Sequence, residues 1–247
     1  MNRDHALSFA IQNRRIPLEY KNDKSFILEL VGFEPYNLSI VPKKFQDDKD
    51  VVMQAVNNNG DCLRFASDKI RADKEIVLTA VRDDGMALEY ASDNLKKDAE
   101  VVLTAIACSG HALLFGSKEL TSNFDFMLDA VNIDGNSLRY ASTNLQKNPT
   151  LVRAAAISMV RRYGANEIRT INSKYFDDED FRNSIANAVR DYCRMTCPES
   201  EIRNTLIKAQ KFCVEKLCEL DEIYDAENNG YFKSTQCHVN NELGSGK

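Results

Sequence analysis

Hydrophobic positions recur along this chain with a period of 25 residues. In residues 73–97, DKEIVLTAVRDDGMALEYASDNLKK, they fall at Ile76, Val77, Leu78, Ala80 and Val81, then at Leu88, Tyr90 and Ala91, then at Leu95. Residues 48–72, 98–122 and 123–147 repeat the pattern without a gap. A fixed period of this size marks a repeat architecture. The first apolar cluster steps by three and four residues, a helical stripe. An Asp or Asn opens each copy (Asp48, Asp73, Asp98, Asn123) and suits a helix N-cap. Asn59-Gly60, Asp84-Gly85, Ser109-Gly110 and Asp134-Gly135 follow, and the glycine is expected to close the helix in a left-handed conformation. Leu88, Tyr90 and Ala91 then predict a second, shorter helix. A β-hairpin around Asp-Gly is excluded by the helical spacing of its flanks and by alanine at fixed sites, which strands disfavour.

Each copy is thus expected to be a helical hairpin that buries its apolar face only by stacking on its neighbours. The predicted fold class is an all-α solenoid of short hairpins with a C-terminal helical cap. Counting back from Asp48 gives a diverged first copy at Asp23, with Pro35 in the glycine slot; counting forward from Asn123 gives a diverged sixth copy at Asn148, without its glycine. The expected organisation is an N-terminal cap over 1–22, with a short helix around Leu7, Phe9, Ala10 and Ile11 that Pro17 ends. The repeat array then fills 23–168, a helical region 169–224, and a polar tail 225–247. In the helical region Phe181, Ile185, Ala188, Val189 and Tyr192 share one face. Ile202, Leu206, Ala209, Cys213, Leu217 and Leu220 predict a second amphipathic helix.

Composition narrows the function without naming it. A net charge of −5 argues against a nucleic-acid partner. No stretch is long and apolar enough to cross a membrane, and the first twenty residues lack the apolar core of a signal peptide. Seven cysteines are scattered through the chain, with Cys62 in a slot that other copies fill with Ala87 and Ala112. This is a thiol used as a small apolar residue, which points to a soluble protein of a reducing, cytoplasmic compartment.

Candidate chemistry is thin. Of the three histidines, His111 lies near Cys108, but both occupy slots that vary between copies, so a surface thiol and a surface imidazole are expected rather than a catalytic pair. Cys193, Cys197, Cys237 and His238 could form a zinc set, but the usual C-x-x-C spacing is missing and no metal or other cofactor is expected. The acidic run at 177–180 reads as a helix N-terminus rather than a cation site. The informative residues are those that vary while the frame stays fixed. They are Arg82, Ala107, Cys108 and Ile133 at the end of the first helix, and Met86, Glu89, His111, Leu114 and Arg139 around the second. Stacking would align them as ridges, the expected surface for a partner protein.

The D-K-x-V-V-L-x-A-V type of run at residues 73–81, the Asp84-Gly85 pair and the A-L-x-Y-A-S run at residues 87–92 resemble an uncharacterised helical repeat family, a domain of unknown function. The family is known chiefly from protist and giant-virus proteins and from effectors of intracellular bacteria. The resemblance covers about residues 23–165 and brings no catalytic residues. It implies a non-catalytic interaction module, and for a secreted effector a host protein or another effector as partner after translocation into a host cell. The acidic residues Glu215, Glu219, Asp221, Glu222, Asp225 and Glu227 are similar to a type IV secretion signal, and equally to a solvated helix end. Two alternatives stay open: an enzyme or its regulatory fragment with a site around Asp191, Cys193 and His238, and a homo-oligomer joined through the 199–222 helix.

Overall fold

The computed structural model describes residues 2–164, 175 and 177–196, with side chains as far as 192. The repeat is all helical, and its period is the one the hydrophobic pattern sets. Each copy opens with an α-helix: Lys24–Phe33, Lys49–Asn58, Lys74–Asp83, Ala99–Cys108, Phe124–Ile133 and Pro149–Tyr163. Asp23, Asp48, Asp73, Asp98, Asn123 and Asn148 cap them, each side chain accepting amide hydrogens of the first turn. The apolar stripe faces the core; in the third copy Ile76, Val77, Ala80 and Val81 are all 0% exposed, and Leu78 is half-buried.

The second element is tighter than an α-helix. Pro35–Ser39, Gly60–Phe65, Gly85–Tyr90, Gly110–Phe115 and Gly135–Tyr140 are 3-10 helices. A 3-10 helix rises roughly 2.0 Å per residue against 1.5 Å, so six residues reach further back along the first helix. Extended residues bound it on both sides, Asp84 before and Ala91 after in the third copy. Equivalent 3-10 helices touch from copy to copy, as do equivalent α-helices. A backbone bond ties each copy to the last: the amides of Ser67, Ser92, Ser117 and Ser142 donate to the carbonyls of Gln46, Arg71, Lys96 and Thr121 at 2.9, 2.9, 3.0 and 2.9 Å.

The turn glycines are not left-handed, contrary to the sequence expectation. Among the described residues only Arg14 and Gly164 have positive φ. The glycines are required by close approach instead. A Cβ on Gly60 would lie 2.2 Å from the Ala80 carbonyl oxygen of the next copy, on Gly85 2.4 Å from that of Ala105, and on Gly135 2.3 Å from that of Ala155. The next helix passes so near the turn that no side chain fits between them.

Both ends of the array depart from the rule. The N-terminal helix, Arg3–Asn13, ends at Arg14, whose φ of 49° breaks it before Pro17; Pro17 instead starts the short 3-10 turn Leu18–Tyr20. Pro35 stands where other copies have glycine, and it has no amide hydrogen to satisfy. In the sixth copy the Asp-Gly break is absent, so the α-helix runs on to Tyr163 and ends at Gly164 with φ 94°. The helix Glu179–Thr196 packs on it through Phe181, Ile185, Ala188 and Val189. The predicted helix over 199–222 and the acidic residues Glu215, Glu219, Asp221, Glu222, Asp225 and Glu227 lie outside the described residues.

Gly85→Ala is expected to destabilise the protein by about 1–3 kcal/mol through overpacking against a backbone oxygen. Gly32→Ala should stabilise it by roughly 0.5 kcal/mol, because that glycine is exposed in a helix and its new Cβ meets only the mobile end of Gln54 at 3.3 Å. Chemical denaturation of both variants checks the contrast; a gain in stability for Gly85→Ala would contradict it.

Candidate functional site

The residues that vary between copies sit at the C-terminal end of each α-helix and on the 3-10 helix that follows. Arg82, Met86, Glu89, Ala107, Cys108, His111, Leu114 and Arg139 are exposed, with Leu114 65% and Met86 37% accessible. Met86 and Glu89 lie on Gly85–Tyr90, His111 and Leu114 on the adjoining Gly110–Phe115, and Arg139 on Gly135–Tyr140. Because these three elements touch in sequence, their variable residues form a continuous row. Ile133 differs from the rest: it is partly buried and packs against the core.

The row begins in a polar and aromatic cluster. The Tyr36 hydroxyl donates to Asp61 at 3.0 Å, and Asp61 lies 3.4 Å from Arg64. The Arg64 guanidinium sits over the Tyr36 and Phe65 rings at 5.4 and 4.6 Å. The hydrogen bond to Asp61 is the main cause that raises the Tyr36 pKa above its ordinary value. The Tyr36 and Phe65 rings meet edge-on at 6.2 Å, and the same geometry returns further along, where His111 meets Tyr140 at 6.4 Å. Arg82 and Arg139 make no ion pair among the described residues.

Cys108 is exposed yet has a structural task. Its sulfur accepts the Gly85 amide hydrogen at 3.2 Å and lies 3.5 Å from the Asp83 carbonyl oxygen. One copy earlier Asp83 does the equivalent work, accepting from the Gly60 amide at 2.7 Å. One copy later Ile133 cannot accept, and the buried Asp134 carboxylate occupies the space beside Gly110, held by the Asn136 amide and the Tyr163 hydroxyl. This slot therefore joins copies as well as varying. The bonds of Cys108 go to Gly85 and Asp83, not to His111.

The remaining sequence candidates divide. Cys62 is fully buried, as its alanine equivalents suggest, and burial pushes its thiol up to about 12. Asp178 caps the helix Glu179–Thr196 by accepting from the Asp180 and Phe181 amides at 2.8 and 3.3 Å, so part of the acidic run is a helix start. Asp191 is exposed on that helix. The side chain of Cys193, and Cys197, Cys237 and His238 altogether, lie outside the described residues. Among the described residues no group of three or more His, Cys, Asp or Glu could hold a metal ion. No helix among them is long and apolar enough to cross a membrane.

One repeated feature went unread in the sequence. Lys24, Lys49 and Lys74, each following a capping aspartate, reach to the next copy. Lys49 bridges Asp73 and Glu75, both at 2.8 Å; Lys74 bridges Asp98 and Glu100 at 2.7 and 2.8 Å; Lys24 bridges Asp48 and Asp50 at 2.8 and 2.7 Å. The Asp-Lys dipeptide at a constant interval, with an acidic residue two positions after the next cap, was the available signal. Lys49 and Lys74 hold Asp73 and Asp98 below the ordinary carboxylate range. Burial works against this at Asp48, where the bonds from Lys24 and the Val51 amide outweigh it. All three lysines are pushed up by the hydrogen bonds they donate to the paired carboxylates. The ladder stops at the fourth copy, where Ala99 replaces lysine.

Residues 23–71, 73–121 and 98–146 match a family described as a domain of unknown function (DUF4116). No curated protein matches the chain. No solved structure matches it.

The ladder and the thiol each give a measurable consequence. Asp73 and Asp98 have depressed pKa values, so their stabilisation is present above 3.8 and is lost as pH falls through the folded values below it. The lysines are raised, so theirs is present below 10.5 and lost as pH climbs past it. Lys49→Met should lower the melting temperature by a near-constant amount between those limits. The deficit should shrink in 1 M salt. Cys108→Val should cost about 1 kcal/mol by stranding the buried Gly85 amide, while Cys108→Asp should retain stability; equal loss in both variants would contradict the assignment.

Proposed function

The chain belongs, through residues 23–146, to the family described as a domain of unknown function (DUF4116), and on that premise we propose that its repeat array is a non-catalytic protein-binding module. One observation carries this reading. Residues shared between copies are spent on caps, close approach and core. Of those that differ between copies, Arg82, Met86, Glu89, Ala107, Cys108, His111, Leu114 and Arg139 are exposed along one row, while Asp61, Ile133 and Asn136 are half-buried. A surface whose frame is constant and whose exposed residues vary is how stacked repeats present a recognition face. Leu114 at 65% exposure, Met86 beside it, and Ala107 and His111 near them give that face an apolar centre. Arg82, Glu89 and Arg139 supply a charged rim of both signs, the composition of an interface rather than of a catalytic cleft.

The proposed partner is a protein. In a bacterial effector it is a host protein or another effector, and the work is done inside the host cell. The proposed mechanism is docking on the row with burial of Leu114 and Met86, with register set by Arg82, Glu89 and Arg139.

Affinity capture by the intact chain should return a defined set of proteins, and Leu114→Asp with Met86→Asp should remove them while the circular dichroism and melting temperature stay within error of the parent. Buried apolar anchors of this kind lose on the order of 2 kcal/mol or more each when disrupted. A double variant that captures the same partners at the same yield would contradict the proposal.

A further inference from the structure

The row of 3-10 helices ends one element short. Each of the first four is covered by the 3-10 helix of the next copy, and the leucine at the centre is sealed: Leu38, Leu63 and Leu88 are 0% exposed and Leu113 1%. Among the described residues the fifth, Gly135–Tyr140, has no such 3-10 neighbour from the sixth copy: residues 159–163, where the break would fall, continue the α-helix Pro149–Tyr163, which packs on it instead. Leu138 is accordingly left partly exposed. A groove of about 320 Å³ opens there, with Leu138, Val152, Ala156 and Met159 as its apolar wall. Arg139 stands in the lining and has no ion-pair partner among the described residues. Tyr175 also borders it and donates to the Lys147 carbonyl at 3.4 Å.

We propose that this groove binds a short segment of a partner protein that supplies the missing 3-10 turn, with a leucine, an acidic residue and an aromatic residue in succession. The leucine and the aromatic of the occupant follow from the interface that the protein already makes four times, and the acidic residue from Arg139 in the groove lining. A 3-10 helix of this array is covered by another whose leucine is buried and whose aromatic two residues later is half-buried, as Leu63 with Phe65, Leu88 with Tyr90 and Leu113 with Phe115 show. The residue between them lies in line with Arg139 of the fifth copy. An acidic side chain there would face Arg139, a guanidinium that makes no ion pair among the described residues. Leu88-Glu89-Tyr90 in this chain has the required sequence. The groove shares Arg139 with the exposed row but lies past Met86 and Leu114, so Leu114→Asp, and not Arg139→Glu, tells the two sites apart.

The probe is a synthetic peptide of the sequence DGMALEYAS, taken from residues 84–92, added to the full chain and followed by amide chemical shifts. A nine-residue segment with one apolar anchor is expected to bind in the range of about 0.1 to 1 mM. Shifts should concentrate on residues 135–146 and 152–159. Binding should weaken at least fivefold with a peptide in which leucine is replaced by aspartate, and with Arg139→Glu, and should reverse its preference toward a lysine-bearing peptide in that variant. Leu114→Asp should leave it unchanged, which separates this site from the exposed row. Ala156→Trp, which fills the groove, should abolish it; where that variant misfolds, the Arg139→Glu charge reversal decides. No saturable shifts up to 2 mM peptide, or shifts indifferent to leucine and to Arg139, would overturn the proposal, as would shifts confined to the Leu114 surface.

Discussion

The contact between the turn glycines Gly60, Gly85 and Gly135 and the helix of the next copy constrains everything else in this array. The carbonyl oxygens of Ala80, Ala105 and Ala155 come to within 2.2–2.4 Å of where a Cβ would stand on Gly60, Gly85 and Gly135. At that separation the spacing of copies is fixed by backbone against backbone, with no side chain to adjust it. The serine amides can then reach carbonyls of the preceding copy at a constant 2.9–3.0 Å, and Lys24, Lys49 and Lys74 can each bridge two carboxylates of the following one. Close packing of Ile76, Val77 and their equivalents supplies most of the free energy; the glycine contact decides where that energy is collected.

A frame fixed in this way leaves a small number of positions free. The cap, the stripe, the turn and the leucine of the 3-10 helix are all committed. Substitution is tolerated at the end of the α-helix and on the outer side of the 3-10 helix, and these are the exposed residues from Arg82 to Arg139. The slot of Asp83, Cys108 and Ile133 shows the boundary between the two classes. It varies, yet each occupant must settle what becomes of a glycine amide next door: Asp83 accepts it at 2.7 Å, Cys108 at 3.2 Å, and beside Ile133 the carboxylate of Asp134 moves into the space. Ends follow the same logic. Pro35 removes the amide altogether, and the loss of the break near Val160 turns the last hairpin into one long helix that Glu179–Thr196 covers.

Most of the fold was legible in the sequence, because a period repeated several times averages out local ambiguity. Asp73 as a cap, Ile76 to Val81 as a buried stripe, Cys62 as a core thiol and the helix carrying Phe181 to Val189 all stand where the pattern places them. The role of Gly85 was not legible: a glycine after aspartate at a helix end reads as a left-handed cap, and only the position of Ala105 reveals the crowding. The 3-10 character of Gly85–Tyr90 was hidden for a similar reason, since six residues with one leucine and one aromatic suit either helix. The lysine ladder was visible but needed the displacement between copies to be recognised. Of the candidate site, the exposure of Met86, His111 and Leu114 followed from their variability, while the half-burial of Ile133 and the bonds of Cys108 depended on contacts with other copies.

Amide hydrogen exchange at Ser67, Ser92, Ser117 and Ser142 tests the central claim most directly. These four amides lie outside the helices and bond to the preceding copy, so they report register and not the helices around them. If backbone contact fixes the spacing, all four should exchange on the order of a thousandfold more slowly than free amides, in step with the buried amides of neighbouring helices. Exchange at the rate of an unstructured peptide, with the helix amides still protected, would mean that the copies are not locked in this register and would contradict the account.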